Sequence, residues 1–159
     1  MKGDITMKLA TALSRRKELQ THIHELEDRL MNNAQVQEGE EPAEDPRELL
    51  GELAADHQEL ERLISAINRT NDRTAAEGEK TLSDLLARRD CCRGQLGIWR
   101  NFLSCASATV SRRTVGEIKI RSAVPVKDFQ KQVDQGAKEL RQLEERIQEL
   151  NWTTELLEG

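Results

Sequence analysis

Three kinds of side chain in this sequence carry reactive or binding chemistry: paired thiols, three imidazoles, and a set of arginines set among amides and acids. Cys91 and Cys92 are neighbours on a helical stretch, so their side chains diverge by about 100° and cannot chelate one metal as a Cys-x-x-Cys pair does. Arg88, Arg89 and Arg93 stand close enough to favour a thiolate, yet no His lies nearby in sequence to serve as a base. Packing for Cys92 and incidental exposure for Cys91 is the expected role. His22 and His24 fall on opposite faces of one helix and His57 sits on another, none with a second ligand four residues on. Glu41 and Glu44 have the Glu-x-x-Glu spacing with which helical pyrophosphohydrolases hold magnesium. They lie beside Pro42 and Pro46, off any helix, and no Glu-x-x-Asp follows on a later one. No Gly-rich phosphate loop follows a strand. No catalytic residue, metal site or cofactor is assigned.

The elements that must position these groups are long and narrow-faced. Phe129, Val133, Leu140, Leu143, Ile147, Leu150 and Leu157 recur at steps of three and four, interrupted by Gly136 and Thr154. That spacing predicts a helix over Phe129–Leu157 with a coiled-coil seam, roughly 43 Å long at 1.5 Å per residue. A first helix is expected from Met7 to Met31 on Leu9, Ala12, Leu19, Ile23, Leu26 and Leu30, with Arg16 the polar residue of the stripe. Gly39, Pro42 and the acids between Glu38 and Asp45 break the period into a solvated loop. Asp45-Pro46 then opens a second helix, with Asp as N-cap and Pro at the first helical position. Its expected seam is Leu50, Leu53, Leu60, Ile64 and Ile67, with His57 inside it and Asn71 at its end. After the Ala75–Lys80 connection, Thr81 and Asp84 make a capping box. The third helix carries Leu82, Leu85, Arg89, Cys92, Leu96, Trp99, Leu103 and Ala106.

Between Ala106 and Val126 the period changes to two. Ile118, Ile120, Ser122, Val124 and Val126 alternate with mainly polar residues, a strand pattern that needs a partner. The expected partner is the same strand of another subunit, with Thr109-Val110 as the alternative. The fold class is therefore all-α: four long antiparallel helices, as a bundle or as paired helical hairpins, with one short β segment between helices three and four. Residues 1–6 read as an N-terminal arm and 7–159 as a single helical domain.

Composition narrows the function classes. With 36% hydrophobic, 33% charged and 3% aromatic residues, the 159-residue chain suits solvated helices rather than a thick core. A net charge of −5 excludes a duplex-binding surface, and four aromatics give no platform for stacking bases, so no nucleic acid is expected. No apolar run reaches the ~20 residues of a membrane span, and the first residues lack the apolar core of a signal peptide. Three cysteines make no disulfide framework, and a cytoplasmic location is expected.

Five stretches in order carry a family resemblance: Met7–Ala10, Val36–Pro42, Ile67–Asn71, Leu86–Asp90 and Asn151–Leu156. Together they resemble small bacterial helical proteins labelled septicolysin-like. The resemblance implies an all-helical protein with no established catalytic residues to carry over. The label itself implies a membrane-damaging lysin, against which stands the lack of any helix with a broad apolar face and a basic polar one.

In an up-down-up-down arrangement, the start of helix one, the connection after helix two and the end of helix four share one end. That gathers Asn68, Arg69, Asn71, Arg88, Arg89, Asn151, Trp152, Thr154 and Glu155 as a hypothetical ligand site, with Thr70, Asp90 and Thr153 among them. Arg89 there needs a counter-charge, and because Asp90 points about 100° away, Glu155 or a bound anion is the expected partner. The leading function is a non-enzymatic, self-associating structural or interaction protein. It would be a homo-oligomer, a dimer or higher, with a protein partner possible through its helical faces. The alternative is a small-molecule or anion-binding protein, conceivably an enzyme, using the polar cluster. A membrane-active lysin ranks third.

Overall fold

The computed structural model describes residues 6–108 and 120–158. Four helices account for most of them: α1 (Leu9–Asn32), α2 (Pro46–Arg73), α3 (Leu82–Ser107) and α4 (Val126–Thr153). Two strands, β1 (Ala75–Glu77) and β2 (Lys80–Thr81), pair as a hairpin between α2 and α3. The chain divides into two compact units, one made of the residues up to Ala75 with those from Leu150 onward, the other of Ala76–Glu149.

The start signals act as the sequence implies. The Asp45 side chain accepts from the Arg47 N–H at 2.9 Å, and Pro46 costs nothing where the helix has no use for an N–H. The Thr81 hydroxyl and the Asp84 carboxylate each accept from the other's backbone N–H, a full capping box. That backbone N–H, with the Thr81 hydroxyl, holds the Asp84 carboxyl below its ordinary range.

In the first unit α1 and α2 run antiparallel. Leu9, Ala12, Leu19 and Leu26 are buried on one, and Leu49, Leu63, Ala66, Ile67 and Thr70 on the other. The seam of α2 is therefore shifted from the expected one: Leu50 is 54% exposed and Leu49 is 2% exposed. Two stripes with the same three-four spacing run down this helix, one through Leu50, His57 and Ile64, the other through Leu49, Asp56, Leu63 and Thr70. The second wins although it carries an acid, because His22 Nδ1 meets Asp56 Oδ2 at 2.5 Å across the pair. A half-buried polar group with a partner costs little.

Two further pairs hold α1, one to α2 and one to the connection before it. Arg15 donates twice to Glu59, at 2.9 and 3.0 Å, and Arg29 donates to both oxygens of Glu44. Buried Asn33 ties the loop down, its amide donating to Arg29 O at 2.9 Å and its carbonyl accepting from Glu44 N at 3.0 Å. The guanidinium hydrogen bonds hold the Glu44 and Glu59 carboxyls below the ordinary carboxylate range.

In the second unit α3 and α4 pack antiparallel around Leu96, Leu103 and Val133, with Trp99, Phe129 and Leu140 against them. Phe129 meets Trp99 and Phe102 edge to face, at 6.4 and 5.1 Å between ring centres. Gly136, the interruption in the α4 stripe, has a reason: a Cβ there would lie 3.1 Å from the Trp99 ring. Arg93 and Glu144 bridge the two helices at 2.5 Å.

Two expectations need correction. The β segment lies between α2 and α3, where Gly78 at φ +58° turns the hairpin, a conformation glycine takes without a Cβ clash. Of the anticipated strand, Ile120–Pro125 forms no strand and Val126 already begins α4, while Thr109–Lys119 lie outside the described residues. A two-residue period alone cannot tell a strand from an irregular lead into a helix. The last helix also ends at Thr153, not Leu157, and it is Leu156 that is buried beyond it.

The register makes a direct prediction. Leu63→Ala should lower unfolding free energy by roughly 2–5 kcal/mol, whereas Leu50→Ala should change it little, both read by urea denaturation. Acid should act through the depressed carboxyls. Their contribution is complete above the ordinary carboxylate range and is lost as pH falls through the lowered folded values. Glu59→Gln should accordingly flatten the acid limb of a stability–pH profile.

Candidate functional site

The polar cluster expected at one end of the molecule divides between the two units. Asn68, Arg69, Asn71, Asn151, Trp152, Thr154 and Glu155 belong to the first, Arg88 and Arg89 to the second. In the first unit a short extended tail after α4 does the organising, because α1 begins without a side-chain cap. The Leu9 N–H, an orphan donor of that helix start, donates to Thr154 O at 2.9 Å, and Leu156 N–H donates to Met7 O at 2.8 Å. Thr154 N–H in turn donates to Leu150 O at 2.9 Å, closing the end of α4. An antiparallel bridge thus joins Lys8 to Glu155, with their side chains 3.6 Å apart.

The tail continues onto α2. Leu157 N–H donates to Thr70 Oγ1 at 2.9 Å, and that fully buried hydroxyl donates to Ala66 O at 2.8 Å. Arg69 donates to Leu157 O at 3.0 Å, and Arg62 pairs with Glu158 at 3.1 Å. Asn71 and Asn151 are half-buried, Asn68 is exposed, and Trp152 is 65% exposed. Of the expected residues, Arg69, Thr154 and Glu155 are engaged in a chain-closing clasp. Thr70 stood in the expected cluster, whereas Lys8 and Leu156 did not.

Arg89 corrects the expectation about its partner. Its guanidinium pairs with Asp90, at 2.9 and 2.8 Å, although the two residues are adjacent. A long side chain folding back along the helix surface overcomes the angular offset of the two Cβ atoms. Glu155 pairs with Lys8 instead. Arg88 faces a groove of about 430 Å³ lined by the β1 residues Ala76 and Glu77, by Leu85, and by Glu139, Gln142 and Arg146 of α4. Arg146 is engaged there by Ala76 O at 3.2 Å and Glu149 at 2.6 Å, whereas Arg88 pairs with no described residue. Among the described residues no group of three or more His, Cys, Asp or Glu is placed to hold a metal, and no helix is long and apolar enough to cross a membrane.

Thr70 is the test of the clasp. Thr70→Val strands the Leu157 N–H, and stability should fall by roughly 1–3 kcal/mol, with faster amide exchange at Leu157. Thr70→Ser, which keeps the oxygen, should lose less.

No curated protein matches the chain. A crystal structure of a functionally unknown conserved protein from Corynebacterium diphtheriae is similar over 96% of this chain and 99% of its own, at 38% identity and a TM-score of 0.89. The septicolysin-like expectation is overturned, since neither this relative nor the matching family model bears that label. The family model covers residues 16–156, and the chain belongs to that family, DUF6847, a family of unknown function.

Proposed function

We propose that the protein is a non-enzymatic, self-associating interaction protein. One observation carries this reading: large apolar side chains stand exposed at helical spacing, Leu50 and Ile64 on α2 and Ile98 and Phe102 on α3. In a chain with so much charge available, apolar residues repeated along outer helix faces mark surfaces that are covered in use. Multi-angle light scattering at micromolar concentration should give the mass of a dimer or a larger assembly. A monomer mass there would overturn the reading.

A second reading has its own observation, an Arg88 in the α3–α4 groove that is unpaired among the described residues. It supports binding of a small molecule through an acid group, with Gln142 beside it as a neutral hydrogen-bonding partner. Phosphate or sulfate should then raise the melting temperature of the wild type and not of Arg88→Ala. Equal behaviour of the two proteins would remove this reading and leave the first untouched.

A further inference from the structure

We propose that the outer face of α3 pairs antiparallel with the same face of a second copy, about a two-fold axis through Ile98. The inference rests on the self-association reading and assigns it a surface. Leu96 and Leu103 are buried against α4, and Ile98, about 200° around the helix from Leu96, is 69% exposed. On Ile98's side lie Cys91, Gly94, Gln95, Asn101, Phe102 and Cys105, all exposed.

The order of these residues is what selects a second copy as the occupant. In an isologous contact a residue k places before the axis meets the residue k places after it. Three places either side of Ile98 stand Gln95 and Asn101, two amides that can donate and accept to each other. Four places either side stand Gly94 and Phe102. A Cβ at Gly94 would meet nothing within 4 Å, so the glycine leaves a gap opposite the partly exposed ring. Seven places either side stand Cys91 and Cys105. Ile98 meets itself.

Charge supports the same conclusion. Any ionised side chain close to a two-fold axis is held near its own copy, a like-charge contact. Between Gly94 and Ala108 the sole ionised residue is Arg100, which is turned about 200° from Ile98. The outer stripe is uncharged for about four turns, in a chain that is 33% charged.

The thiols make the register measurable. Cys91 and Cys105 of one chain are about 21 Å apart along α3, too far for an internal disulfide, so a Cys91–Cys105 bond must join two molecules. The experiment uses the full chain with Cys92→Ser and copper–phenanthroline as oxidant, which takes up the two electrons as two thiols lose their protons and form the S–S bond. The Cys91→Ser and Cys105→Ser proteins should each cross-link poorly alone and at least tenfold better when mixed, with peptide mapping showing Cys91 joined to Cys105. Independently, Ile98→Glu should convert the assembly to smaller species in light scattering while leaving the circular dichroism spectrum unchanged, because Ile98 is not part of the core. If single-thiol proteins cross-link as readily alone as mixed, or if Ile98→Glu assembles like the wild type, the α3 axis is wrong. Should Leu50→Glu disrupt assembly in its place, self-association stands and its surface moves to α2. A monomeric wild type ends both proposals.

Discussion

The first unit depends on one backbone hydrogen bond between distant parts of the sequence. α1 begins without a side-chain cap, and the Leu9 N–H, one of its orphan donors, takes the Thr154 carbonyl. Thr154 can serve only because α4 has just ended, and its own N–H is held by Leu150. The tail then has to lie along α2, where its next N–H, at Leu157, requires an acceptor in an otherwise apolar seam. Thr70 provides it. A threonine in a position that Leu would fill with more buried area is thereby explained by the backbone group it satisfies.

The same logic governs Asp56. An acid in the α1–α2 seam looks like an error when α2 is read alone, because the neighbouring stripe through Leu50, His57 and Ile64 carries none. Its partner, His22, stands on another helix, and a single-helix periodicity contains no information about that pairing. The seam is chosen jointly by both helices. The stripe that loses the inner position remains apolar and faces outward.

Much of the fold was legible for reasons that are local. Asp45-Pro46 and Thr81 with Asp84 specify helix starts through contacts within one turn, and the structure shows both. The seams of α1, α3 and α4 were legible because each has one dominant apolar stripe. The hairpin at Ala75–Thr81 was missed because its strands are three and two residues long, too short to show alternation. The end of α4 was missed because Leu157 continues the helical spacing by coincidence, while Leu156 does the packing. Of the polar cluster, the first-unit members proved to lie around a terminal clasp, a consequence of where Thr154 and Thr70 sit. The partner of Arg89 was not legible, because the Cβ direction does not fix where a flexible guanidinium reaches.

The clasp also sets the chain's topology in a way that protein engineering can use. Met7 and Leu156 share a hydrogen bond, so a short peptide could connect residues near the two ends without moving either helix. The chain could then be reopened in the exposed, acidic connection around Gly39, which adopts φ +89° and has open space about it. In such a permuted molecule α2 would come first and α1 last, and the short two-strand addition between tail and arm would become an ordinary loop-connected pair. The order in which the helices are synthesised would change while every contact of the α1–α2 seam is retained.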